Sequence, residues 1–153
     1  MSTSNLITDL LADIKTKIDA NSYFVGPPAI TTVINKPGDE LQELLRQQVG
    51  MMAGVAINLA ALTPGTTPRE VGVVISFICI ENPDPNRDTV SGTEATYLDI
   101  ALLLYGILLG WQPTSTPPWW MPLQFVGGEL LDREEDGRVA FEMKFATAVQ
   151  MYM

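Results

Sequence analysis

The segment REVGVVISFICI, residues 69–80, carries the clearest strand signal in the chain. β-Branched residues dominate it, and these residue types favour extended backbone. Its inner part is apolar at successive positions, so both faces of the strand need cover. The pattern therefore predicts a strand at the centre of a sheet.

Two segments upstream are predicted to be further strands. AITTVIN, residues 29–35, is short and β-branched. MMAGVAINLAAL, residues 51–62, is open to two interpretations, because its alanines suit a helix whereas its larger residues alternate with smaller ones at strand periodicity. Gly50 and Gly54 weaken a helix, which favours the strand.

Apolar residues recur at helical spacing in three places. The first helix is predicted over 6–19, a short one over 39–49, and a long one over 93–109. The apolar face of the first helix comprises Leu6, Ile7, Leu10, Leu11, Ile14 and Ile18, and that of the long helix comprises Tyr97, Ile100, Ala101, Leu104 and Leu108.

The C-terminal third is predicted to form a β-hairpin. Its first strand covers 123–132, with a bulge at Gly127-Gly128, and Asp136-Gly137 is a strong turn signal. In the last strand, large apolar residues alternate with Ala140, Glu142, Lys144 and Ala146, so one face is buried and the other meets water or a partner. The whole pattern predicts a single α+β domain over 1–153, a mostly antiparallel sheet of four to five strands with two to three helices on one side.

Two glycines of the long helix have different predicted roles. Gly110 is predicted to end the helix, at the position where glycine commonly adopts a left-handed conformation. Gly106 lies inside the helix, where glycine costs stability, so we expect another backbone close to it. A backbone of the same chain is favoured over one from a neighbouring subunit.

Composition excludes several classes of function. The chain has 153 residues, a net charge of −9, one cysteine and no histidine. The acidic balance argues against binding to nucleic acid or to an anionic membrane surface, and the missing histidine removes the commonest general base and metal ligand. The acidic run DREED, 132–136, is best interpreted as a solvated hairpin tip, and DPNRD, 84–88, lacks the glycine and distal glutamate of a calcium loop. We therefore expect no enzyme activity, metal or cofactor.

The stretch QPTSTPPWWMPLQF, residues 112–125, places Trp119 and Trp120 side by side among prolines. Adjacent residues of an extended segment point to opposite sides. We expect one tryptophan to cover the end of the long helix together with Trp111 and the other to face a partner. The alternative is a loop that folds wholly onto its own domain.

The order of these features resembles the tail-terminator, or tail-completion, proteins of tailed bacteriophages, especially contractile-tailed ones. The matching elements are a helix ending in Gly110, Trp111 and Pro113, a strand with Pro122, Leu123, Phe125 and Gly127, and a last strand with Phe141, Phe145 and Thr147. The stretch ISFICIENPDPNRD is similar to the cap proteins of related contractile injection systems. The resemblance covers most of the chain but not segment 36–62.

The resemblance implies a structural role without cofactors. Six copies would form a ring on the head-proximal end of the tail tube, end tube and sheath growth, and present a surface to the head–tail connector. DNA would only pass through the lumen, no membrane would be involved, and assembly would take place in the host cytoplasm. The alternatives are another tail, baseplate or tail-assembly component of similar fold, or a monomeric cytosolic binding module.

Interface candidates follow from this role. They are the tryptophans Trp119 and Trp120, the last-strand pair Glu142 and Lys144, the hairpin tip Asp132, Arg133, Glu134 and Glu135, and the loop residues Asp84, Arg87 and Asp88. A DNA passage should repel DNA, so several acidic residues are expected at the lumen, namely Asp84, Asp88, Glu94, Asp132, Glu134 and Glu135.

Overall fold

A computed structural model describes residues 6–21, 29–34, 51–81, 97–113, 120–133 and 139–150. Two helices and five strands lie in these ranges. In chain order they are α1 (Leu6–Asp19), β1 (Ala29–Ile34), β2 (Met51–Pro64), β3 (Glu70–Glu81), α2 (Tyr97–Leu108), β4 (Gln124–Arg133) and β5 (Val139–Gln150).

The strands form one sheet in the order β1-β2-β3-β5-β4. Only the β1–β2 pair is parallel among these neighbours, and the β2–β3, β3–β5 and β4–β5 pairs are antiparallel. The predicted α+β class, the strand interpretation of 51–62 and the central position of β3 are all confirmed. The predicted helix over 39–49 lies outside the described residues.

Both helices pack on the same face of the sheet, α1 over β1 and β2, and α2 over β3 and β5. Alternate residues of β3 and β5 point to this face, because side chains alternate along a strand. Phe77 and Phe145 meet edge to face there, with ring centroids 5.5 Å apart. The fully buried core includes Leu11, Ile14, Ile18, Val55, Ile57, Ile75, Phe77, Cys79, Ile100, Leu104, Leu108, Leu123 and Phe145.

The edge strand β4 is irregular at two places. Its register against β5 shifts between Phe125 and Gly127, just before the predicted bulge at Gly127-Gly128, and again between Leu130 and Asp132. Bulges bend and twist an edge strand and disrupt its ladder of hydrogen bonds. They also limit uncontrolled pairing of the edge with other chains.

The two glycines in and after α2, Gly106 and Gly110, have different structural environments. Gly110 has a φ of 75°, and it ends the helix as predicted. Gly106 is exposed, and a Cβ built on it would meet nothing within 4 Å. The expectation that a backbone of the same chain lies against Gly106 is therefore wrong for the described residues, because the outer face of α2 is turned away from the sheet.

Gly106→Ala should stabilise the isolated chain. The added methyl group clashes with nothing, and alanine favours a helix interior over glycine by about 0.5–1 kcal/mol. Urea unfolding would measure the change. Gly110→Ala is the matched control, since its positive φ strains any side chain, and it should lower the free energy of unfolding. A destabilised Gly106→Ala protein would contradict the open space seen at this position.

Candidate functional site

The segment after the second tryptophan is bonded to the end of β5. Trp120 forms an isolated antiparallel bridge with Val149, and the amide of Met121 donates to the carbonyl of Ala148 at 2.9 Å. The hydroxyl of Thr147 donates to the carbonyl of Met121 at 2.6 Å. Thr147 is one of the motif residues of the resemblance, and its contact ties this segment to the last strand.

The same segment is also bonded to the end of α2. The amide of Gly110 donates to the carbonyl of Leu123 at 2.8 Å, and the amide of Leu123 donates to the carbonyl of Trp111 at 2.9 Å. The Gln112 side-chain amide donates to the carbonyl of Trp120 at 2.8 Å. These bonds join the residues that follow α2 to residues 120–123, so this segment holds the chain in place just beyond the helix end.

Trp120 belongs to the core. Its side chain is 4% exposed and joins the apolar cluster that contains Leu108, Leu123 and Val149. As an interface candidate it is therefore placed inside its own chain, not on the surface. Trp111 is partly buried beside the cluster, with the Lys17 ammonium 5.9 Å from its ring centroid. Trp119 lies outside the described residues.

Glu142 and Lys144 lie on the sheet face opposite the helices. The Ser76 hydroxyl on β3 donates to Glu142 Oε2 at 2.6 Å, and Lys144 Nζ lies 3.5 Å from Glu142 Oε1. Ser76 is 4% exposed. The Glu142 side chain is 15% exposed and that of Lys144 is 41% exposed. The Glu142 side chain thus links β5 to β3, and only the Lys144 side chain projects into solvent.

These two residues border a shallow groove of about 240 Å³, lined by Val126, Gly127, Gly128, Glu129, Glu142 and Lys144. The charged groups of the groove are the Lys144 ammonium and the carboxylates of Glu129 and Glu142. The ammonium already lies beside Glu142. This arrangement suits contact with a polar protein surface.

Most other interface candidates are not placed. Asp132 and Arg133 end β4, opposite Ala140 and Val139. The remaining candidates lie outside the described residues; they are Asp84, Arg87, Asp88, Glu94, Glu134 and Glu135. The predicted ring interface and lumen lining therefore stay predictions.

Cys79 lies on β3 and is fully buried. Burial raises the pKa of its thiol to about 12, because the interior disfavours the charged thiolate. Since the thiolate is the reactive form, the raised pKa makes this thiol unreactive, and Cys79 serves as a core residue, as its position in a central strand predicts.

The part of the chain that the structure describes holds no cluster of three or more metal-ligating side chains. Within the same ranges, neither helix has the length and apolar character needed to cross a membrane.

Sequence reasoning missed an exposed apolar surface. Leu102 is 71% exposed, and Tyr105 and Leu109 are exposed on the same side of α2. Tyr105 contacts Phe125 on β4 edge to face, with ring centroids 5.1 Å apart. The sequence contains a signal for this surface, because α2 carries apolar residues well beyond its buried face, and apolar helix surfaces are usually covered.

The fold has counterparts among solved structures. A chain of the virion of a native gene transfer agent particle superposes with a TM-score of 0.60 at 14% sequence identity, over 98% of this chain and 100% of that chain. A second solved protein gives a TM-score of 0.58 at 11% identity, over 100% of this chain and 99% of the other. The fold is thus shared over nearly the full length of each. No protein-family model matches the sequence, and no curated protein matches it.

Trp120→Ala should destabilise the chain by about 3–5 kcal/mol, the usual range for truncating a fully buried tryptophan. Thermal and urea unfolding would measure the loss. Trp119→Ala is the contrast. The sequence predicts that one of the two tryptophans serves a partner, and Trp120 is the buried one, so Trp119→Ala should unfold like the parent. If Trp119→Ala loses as much stability as Trp120→Ala, the predicted division between the two tryptophans is wrong.

Exchanging the charges of Glu142 and Lys144 should weaken folding by about 1–3 kcal/mol, because the buried Ser76 hydroxyl loses its charged acceptor. This folding cost does not follow from the sequence, which suggested only an interface role for the pair. Lys144→Gln is the control and should stay within about 0.5 kcal/mol, as is usual for an exposed position. Equal unfolding midpoints for the exchange and the control would contradict the anchoring role of Ser76.

Proposed function

We propose that this chain is a structural protein of a phage or phage-derived particle, and that it forms a ring on the head-proximal end of the tail tube. The observation that carries the proposal is the shared fold with a chain of a gene transfer agent virion, which extends over nearly all of both chains. A match over nearly all of both chains supports a particle component over a general binding module.

The motif resemblance supports the position within the particle. Its helix end, Gly110 to Pro113, and its strand segment, beginning at Pro122, meet at the Gly110–Leu123 and Trp111–Leu123 hydrogen bonds. Thr147, from the third motif, bonds to the same segment. Motif residues that are far apart in sequence thus build one junction, which is expected if they define a shared structural element.

In this role the chain binds other proteins and carries out no chemistry. Its partners are copies of itself, the last tube and sheath rings, and the connector below the head. The ring ends polymerisation by covering the growing end with a surface that no further tube subunit recognises. DNA passes through the lumen, and the acidic balance of −9 disfavours its adhesion to the wall.

Deletion of the gene from the producing genome tests the proposal by electron microscopy. We expect tails of unregulated length and tails without heads, restored to normal by supplying the gene on a plasmid. A gold label on a C-terminal tag should lie at the neck. Normal particles after deletion would overturn the proposal, and loss of all tails or a label at the distal end would instead assign the chain to the tube or baseplate.

A further inference from the structure

The groove between β4 and β5 lies on the face of the sheet that the two helices leave uncovered. In the register of these strands, Gly127 pairs with Lys144 and Glu129 pairs with Glu142. Residues directly opposite each other on neighbouring strands point to the same face. The charged side chains of Lys144, Glu142 and Glu129 therefore all lie on the groove side of the sheet, where they line it.

Glu129 differs from the other two charged groups of the groove, because it has no partner among the described residues. Glu142 is paired twice, with the Ser76 hydroxyl at Oε2 and with Lys144 Nζ at Oε1. Glu129 is exposed and makes no hydrogen bond or ion pair in the described part of the chain. It stands directly opposite Glu142, and like charges at such positions repel. One ammonium and two carboxylates give the groove a net charge of −1, and the carboxylate of Glu129 is open to a cation.

Gly127 keeps the groove open although its own chain does not require a glycine there. A Cβ built on Gly127 meets nothing within 4 Å, whereas one on Gly128 would lie 3.0 Å from the Phe141 ring. A register shift precedes Gly127, but the bulge that demands glycine places it at positive φ, and among the described glycines only Gly110 has a positive φ. A glycine inside a strand weakens it and often marks the close approach of another molecule. The missing side chain thus leaves room for an occupant.

The lining of the groove fits a long basic side chain. Val126 is 57% exposed and offers apolar surface, and Glu129 offers a negative charge three residues further along β4. Lysine and arginine combine an aliphatic stem with a cationic head, and they lay the stem along apolar surface while the head stays at a polar site. No other side chain type satisfies both ends of this groove.

The overall charge favours a different protein as the source of that side chain. Copies of a chain with a net charge of −9 repel one another, and the same field attracts basic surfaces. A cation that enters the groove also relieves the repulsion between Glu129 and Glu142, which stand opposite each other.

We propose that this groove receives a lysine or arginine side chain of a different protein, with its cationic head beside Glu129 and its stem along Val126 and Gly127. That the other protein is a neighbour in the particle rests on the proposed function. The preference of the groove for a basic side chain does not.

Titration of the isotopically labelled protein with N-acetyl-arginine amide tests the groove by NMR. At low ionic strength, where exposed charges are least screened, the amide shifts of 126–129 should change several times more than those around Asp9, another exposed carboxylate. The uncharged isostere N-acetyl-citrulline amide should leave 126–129 unchanged. Glu129→Gln should abolish the response, and Asp9→Asn should retain it.

Three results of the titration would overturn the proposal. They are shifts spread evenly over the exposed carboxylates, an equal response to the citrulline probe, and a stronger response at 126–129 to calcium chloride, which would assign the groove to an inorganic cation.

Two variants in the producing genome test the partner. Glu129→Lys reverses the charge and Gly127→Val fills the groove, and each should lower the yield of head-joined tails about tenfold or more, because like charges brought together at an interface cost several kcal/mol and a filled groove admits no side chain. Asp9→Lys is the control and should assemble like the parent.

Both groove variants should stay folded. The lysine of Glu129→Lys stands opposite Glu142, and the Cβ of Gly127→Val meets nothing, so thermal unfolding should begin no lower than in the parent. Parental yields from both variants would overturn the proposal. So would a purified parent that self-associates and a Glu129→Lys protein that does not, since the occupant would then be a second copy.

This result is separable from the proposed function. If the arginine probe binds at 126–129 but the deletion strain makes normal particles, the groove preference stands and the tail role fails. If the deletion strain has defective tails while Glu129→Lys and Gly127→Val assemble normally, the tail role stands and the groove proposal fails.

Discussion

The whole fold depends on covering β3, whose apolar side chains occupy both faces of the sheet. Burying such a strand requires hydrogen-bonded neighbours at both edges and a layer of side chains on each face. β2 and β5 supply the edges, and α1 and α2 supply one layer. On the other face Ser76 is buried, so its hydroxyl needs an acceptor, and Glu142 on β5 provides it at 2.6 Å. The polar contact on that face is thus a consequence of the apolar strand beside it.

Local patterns allowed much of the architecture to be predicted. The bounds of α1, the strand character of β2, the central place of β3 and the end of α2 at Gly110 all follow from periodicity or from glycine chemistry within short windows. The bulge near Gly127 was predicted on the same basis. These features depend on neighbours in sequence, and that is the information a single chain displays.

Features that depend on distant residues were not predicted. The Ser76–Glu142 bond joins residues 66 positions apart, and only the register of β3 against β5 brings them together. The buried face of α2, with Ile100, Leu104 and Leu108, was predicted from its spacing. The apolar residues on its exposed side were missed, because a helix sequence does not show which distant surface covers them. For Gly106 the expected close backbone was sought within the chain, whereas the glycine faces outward with nothing within 4 Å of a built Cβ. Of the two tryptophans, Trp120 is the buried one, and its backbone bridge to the distant Val149 is not visible in the sequence.

The hydrogen bonds between residues 110–112 and the segment at 120–123 fix both ends of the connection that runs from Pro113 to Trp120. The folded domain holds the two ends of that connection in place, so the entropy cost of closing it depends only weakly on its length. Each doubling of its length would cost only about 0.6 kcal/mol. Chains of this fold can therefore vary in length here at almost no thermodynamic penalty, which makes this position a natural place for partner-specific insertions and a practical one for a reporter peptide.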